Sequence, residues 1–177
     1  MRLFSWQLLG EAKNLWDAPN LLLQKFPAPD FSATTKLTFS PMYKGERAGL
    51  VVMGMDYATI GIENGENGLV LTQNSCLKAD KSAAETNHAS VDFKQSTVFL
   101  KVDIKQSRNK NKEGILQPTG TCTFSYSLDG KKFIPFGEPF IAREGLWIGA
   151  KVGLYCIRPK AINDSGYADV DWFRIDK

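Results

Sequence analysis

One histidine, His88, stands alone among 177 residues, which leaves little around which to build a general base or a Ser-His-Asp arrangement. The three cysteines, Cys76, Cys122 and Cys156, are odd in number and lack zinc-ligand spacing, so neither a disulfide framework nor a metal centre follows from them. Cys122 and Cys156 fall on inward positions of strand-like runs, where a free thiol acts as a small hydrophobe. No phosphate loop is present. An excess of one charge is also lacking: 22 basic residues stand against 19 acidic ones, a net +3 too balanced to indicate nucleic acid. The basic residues at 105–112 read as a solvated loop. No apolar run approaches the roughly 18 residues that span a membrane. The opening MRLFSWQLLGEAK lacks a signal-peptide layout, because Ser5 and Gln7 break a short apolar stretch. The compartment stays open: cytoplasmic, or, for a piece of a longer precursor, periplasmic or extracellular. No segment holds a helical period over three turns, and there is no internal repeat.

What is present is strand signal. Residues 31–39 alternate, with Phe31, Ala33, Thr35, Leu37 and Phe39 on one side. Residues 47–55 are apolar on both faces, which suits a central strand covered on both sides. Residues 57–63 and 68–74 pair across the turn at 64–67, and Asp129-Gly130 joins 121–128 to 131–136 as a second hairpin. Residues 96–105 alternate with Val98, Leu100, Val102 and Ile104 inward. The stretches 76–88 and 106–119 read as loops, the second long enough to be functional or mobile. Many strands separated by turn signals, in a chain of single-domain length, predict an all-β fold: an antiparallel two-sheet β-sandwich over residues 1–177.

The run GLWIGAKVGLYCI (145–157) carries the strongest functional suggestion. As a strand it turns Ile148, Ala150, Val152, Leu154 and Cys156 toward a core, and Trp147, Gly149, Lys151, Gly153 and Tyr155 away from it. Glycines inside a strand mark close approach of a ligand or of another backbone. Two aromatics over cleared ground, with Lys151 between them and Arg143 just before, would form a platform with donors for a sugar ring. The plainer reading is that another part of the protein covers Trp147 and Tyr155. Asp169 and Asp171, two apart on a strand, face one way. They would pair with Lys or Arg, hold a structural calcium, or act as a carboxylate pair in glycoside hydrolysis.

Five blocks, NLLLQKFPAPDFSATTKLTF (20–39), ERAGLVVMGMDYA (46–58), FSYSLDGKKF (124–133), WIGAKVGLYC (147–156) and GYADVDWFRI (166–175), together resemble the C-terminal domain of family 43 glycoside hydrolase β-xylosidases. The resemblance runs in order, with compatible spacing, from about residue 3 to the C-terminus. It implies a concanavalin A-like jelly roll, also classed as the xylan-binding carbohydrate-binding module family 91. It places the catalytic groups on an N-terminal five-bladed propeller, so no catalytic residue carries over. It also implies that the sandwich packs on that propeller and sends one aromatic to the active-site mouth. Matching the xxGAxVG block puts that aromatic at Trp147, where the family commonly has Phe. The family's sandwich usually begins one strand earlier, so a C-terminal fragment lacking that strand and the propeller is expected.

The expected function is a non-catalytic accessory domain of a β-xylosidase or α-L-arabinofuranosidase. It would bind xylan or xylo-oligosaccharide through Trp147, Lys151, Tyr155 and Arg143. The propeller is its expected partner, with neither nucleic acid nor membrane, and no cofactor is expected beyond a structural calcium at Asp169 and Asp171. Two other readings stay open: a purely structural domain on the propeller, or a small free-standing glycosidase using the two aspartates.

Overall fold

The computed structural model describes residues 1–4, 6–7, 14–18, 21–110, 114–144, 149–159 and 164–177. In chain order its strands are β1 (Arg2–Phe4), β2 (Trp6–Gln7), β3 (Leu21–Lys25), β4 (Phe31–Ser40), β5 (Arg47–Met53), β6 (Tyr57–Asn64) and β7 (Leu69–Cys76). They continue as β8 (Thr86–Asp92), β9 (Thr97–Lys110), β10 (Leu116–Ser127), β11 (Ile134–Pro135), β12 (Phe140–Ala142), β13 (Lys151–Arg158) and β14 (Tyr167–Asp176). Two sheets result. The first runs β1-β14-β4-β9-β10-β11, with β12 also on β10; the second runs β2-β13-β5-β6-β7-β8, with β3 also on β13. Every described pairing is antiparallel except the two-residue contact of β2 with β13.

Period-two alternation builds the core between the sheets. Phe31, Ala33, Leu37 and Phe39 of β4 and Val98, Leu100, Val102 and Ile104 of β9 meet Leu50 and Val52 of β5, Ile60 and Ile62 of β6, and Val152, Leu154 and Cys156 of β13. All three cysteines are buried, and none forms a disulfide. Burial pushes the thiols of Cys122 and Cys156 up to about 12, so they stay protonated and inert.

The loop expected at 76–88 is found at 77–85 but not beyond, and that expected at 106–119 is corrected. Residues 86–92 form the edge strand β8, in which nearly every side chain is exposed; with neither face buried, no alternation marks it. The stretch 106–119 is mostly strand. β4 pairs β9 only as far as Ile104, yet β9 and β10 stay paired from Gln106–Gly120 out to Lys110–Leu116. The result is a two-stranded arm that overhangs the sandwich and carries Arg108 and Lys110 of the basic cluster. Hydroxyls and an amide stitch one face of it: Ser107 Oγ and Thr119 Oγ1 lie 2.8 Å apart, and Asn109 Nδ2 donates to Thr119 Oγ1 at 2.6 Å.

Candidate functional site

The alternation expected for 145–157 holds along β13, and its consequence for Tyr155 is burial. Val152, Leu154 and Cys156 face the inter-sheet core, while Tyr155 lies on the opposite face and is only 1% exposed. There it joins a second apolar cluster with Leu15, Val51, Met53, Tyr57, Cys76, Ala79 and Ile157. The chain's own segments roof this face. Asn14 Nδ2 donates to the carbonyls of Ala79 and Ala83 while its Oδ1 accepts from Trp16 N–H. Tyr57 accepts from Leu15 N–H at 3.0 Å and donates to Glu85, which also takes two hydrogen bonds from Arg47. Burial and the Glu85 charge both push the Tyr57 phenol up. Burial opposes the Arg47 charge, but the Glu85 carboxylate outweighs it and holds Arg47 above its ordinary value.

The interior glycines serve close approach of the protein's own atoms. Tyr155 pairs with Gly49, and Gly49 with Gly61, so the Tyr155 ring reaches across two strands to set its hydroxyl over Gly61. A Cβ at Gly61 would collide with that hydroxyl and with the Ala48 carbonyl, and one at Gly153 with the Leu22 carbonyl. Tyr155 is therefore a core residue, and its expected role in a sugar platform is corrected. Lys151 is half-buried at the start of β13, flanked in register by Lys25 and Met53. Trp147 lies outside the described residues. The chain on either side of it is tied down: Met55 N–H donates to the Glu144 carbonyl at 3.2 Å, and Phe26 N–H to the Ala150 carbonyl at 3.2 Å.

Arg143 sits elsewhere. Its Nε donates to Asp56 Oδ2 at 2.7 Å, and its Nη2 bonds the same oxygen. Asp56 is 2% exposed, and its other oxygen accepts from Lys78 N–H at 2.6 Å. This pair lines a cleft of about 380 Å³ on the flank of the sandwich, where β7 and β8 face β12. Two further polar pairs line it. Ser75 Oγ lies 2.7 Å from His88 Nε2, and the Gln73 amide clasps the backbone of Glu138, accepting from its N–H and donating to its carbonyl. Gln73 and Ser75 are buried on the inward face of β7, beyond Leu71, whereas His88 and Glu138 are exposed. One extra residue in β8 opposite Gln73–Asn74 brings His88 to Ser75; bulges re-aim side chains in this way. Leu77, Pro139 and Ile141 supply an apolar rim.

Local sequence marks Arg143 and His88 singly but not the cleft they share. Polar residues at the inward positions 73 and 75, in a strand that begins Leu69, Leu71, were the available signal; nothing local pairs Asp56 with a residue 87 positions away. Asp169 and Asp171 both turn outward, each with its own cation: Asp169 takes two hydrogen bonds from Arg2 at 2.7 Å, and Asp171 pairs with Lys36 at 2.6 Å. The Arg2 hydrogen bonds hold the Asp169 carboxyl below its ordinary value. Among the described residues no group of three or more His, Cys, Asp or Glu is placed to hold a metal ion.

The two sheets form a jelly-roll sandwich in which the outer face of β13 is covered and a cleft opens on one flank. The chain belongs to the β-xylosidase C-terminal concanavalin A-like domain family, whose model matches residues 7–176. It is 27% identical over 168 residues to a β-xylosidase of Formosa agariphila, a match covering 94% of this chain and 25% of that protein. Its fold is similar to that of a bifunctional GH43-CE protein of Bacteroides eggerthii, with TM-score 0.78 and 21% identity over 99% of this chain and 21% of that one. It is also similar to the xylan β-1,4-xylosidase of Bacillus halodurans, with TM-score 0.75 and 17% identity over 99% of this chain and 32% of that one. The chain thus spans about a quarter of the length of its curated relative.

Proposed function

We propose that this chain is the non-catalytic accessory sandwich of a xylan-degrading family 43 enzyme. In this reading it docks on a catalytic domain encoded ahead of it and presents Trp147 at the mouth of that domain's substrate pocket. The observation that carries the reading is the family match over residues 7–176, set beside a relative four times longer. The geometry favours docking over an independent aromatic platform: Tyr155 is enclosed by the chain's own roof, while Glu144 and Ala150, the nearest described residues before and after Trp147, are held through their carbonyls. An aromatic held at a domain seam can touch both protein and sugar, since its ring is apolar and its edge polar. Xylan or xylo-oligosaccharide is the ligand class in this reading, and the propeller the partner. The test is hydrolysis of an aryl β-xyloside by the separately produced catalytic domain, with and without this chain. Added chain should bind and raise turnover; Trp147→Ala should bind without raising it.

A further inference from the structure

We infer that the flank cleft between β7–β8 and β12 is a binding site for a neutral, hydroxyl-rich sugar of one or two rings. Three buried polar side chains stand behind it, and each fixes one exposed group at its mouth. Asp56 holds Arg143 by two hydrogen bonds to one oxygen, Ser75 holds His88 by Nε2, and Gln73 holds the Glu138 backbone from both sides. Sealing the edge of the sandwich would not call for this. Apolar residues at 73 and 75, continuing Leu69 and Leu71, would close it without burying polar groups that must each find a partner. A buried layer that orients an exposed layer is the construction of a preorganised site.

The charge of the lining selects the ligand. One guanidinium faces two carboxylates, and the guanidinium is already matched by Asp56. Arg143 is the one permanent cation among the described lining residues and is already taken by Asp56, so a phosphate or carboxylate would face Glu138 without a matching guanidinium and the site disfavours anions. A metal ion would find no ligand cluster among the described residues. Neutral hydroxyls suit every free group. The Glu138 carboxylate accepts from two neighbouring hydroxyls, Arg143 Nη1 donates, and the second ring nitrogen of His88 does either. Leu77, 62% exposed, and Ile141 offer apolar surface to the C–H face of a sugar ring. The volume of about 380 Å³ falls in the range of small-molecule sites, roughly 300–1,000 Å³. The described lining comes from Asp56, β7, β8 and residues 138–143, and the site is proposed as distinct from the Trp147 contact above; only the choice of xylose-based probes rests on that reading.

The test is amide NMR of the 177-residue chain titrated with xylobiose, L-arabinose, cellobiose and, as an anion control, inorganic phosphate. Saturable shifts at Leu77, His88, Glu138 and Ile141 with at least one saccharide are expected. Glu138→Ala and His88→Ala should each weaken that saccharide about tenfold while the rest of the spectrum stays native. Both are exposed residues, so the fold tolerates their loss. Saturation by cellobiose alone would keep the site and count against xylan. No saturable shift at these residues with any saccharide, undiminished affinity in Glu138→Ala, or saturation by phosphate instead would each overturn the site. Saccharide shifts confined to residues flanking Trp147 would overturn it too, while leaving the docking reading intact.

Discussion

The hydroxyls of Tyr155 and Thr59 are buried together on the outward face of the second sheet, where their mutual contact falls short of hydrogen-bond geometry and neither finds another partner among the described residues. Burial pushes the Tyr155 phenol up, so it stays protonated. Its value to the protein is therefore its ring. Tyr155→Phe is expected to change stability by no more than about 1 kcal/mol, since removing an unsatisfied buried hydroxyl is nearly neutral. Tyr155→Ala should cost about 3–5 kcal/mol through the cavity it leaves. Urea unfolding of the two variants measures both. Asp129 makes an opposite case at the surface. It accepts from the backbone N–H groups of Lys132 and Lys131 and from Ser127, and its carboxyl is held down to about 2. A carboxyl depressed from about 3.9 stabilises the fold fully above that value and loses its contribution as pH falls through about 2. Melting temperature followed from pH 5 to pH 2 should therefore fall less steeply in Asp129→Asn than in the wild type. The Asp129-Gly130 turn was legible from its dipeptide. The burial of Tyr155 was not, because alternation says which way a side chain points and not what covers it.

At the scale of elements, the roof over β13 depends on the Arg47–Glu85–Tyr57 group. Arg47 and Glu85 are 13% and 17% exposed, so removing one partner leaves a charge largely out of water. Glu85→Gln is expected to destabilise by about 3 kcal/mol. Arg47→Met together with Glu85→Leu should recover most of that loss, which a double-mutant cycle in urea measures. Elements with a buried face were legible: β4, β5, the β6–β7 hairpin and the inner half of β9 fall where period-two alternation or doubly apolar runs put them. Those without one were not. β8 lies at a sheet edge, and the outer half of β9 with the start of β10 forms an overhang, so their side chains carry no inward-outward contrast to read. The flank cleft was hidden for another reason. Its members come from the β5–β6 turn, β7, β8 and the segment leading through β12, brought together only by the stacking of two sheets.

At the scale of the whole molecule, the sandwich and its family were recoverable from sequence, because five spaced blocks carry the core pattern and the family match spans residues 7–176. The four candidate residues do not come together in the fold. Of the four residues named for sugar contact, Arg143 lies in a cleft with partners no local pattern links to it, Tyr155 is core, Lys151 flanks Met53, and Trp147 falls outside the described residues. In the function proposed above, this domain works by completing a neighbouring active site. The most direct test of that function is the rate of aryl β-xyloside hydrolysis by the separately produced catalytic domain as this chain is titrated in. Expected are no turnover by the chain alone, a saturable rise in kcat/KM of the catalytic domain with wild-type chain, and binding without that rise for Trp147→Ala. A rate that stays flat across the titration, with no binding between the two domains, would contradict it.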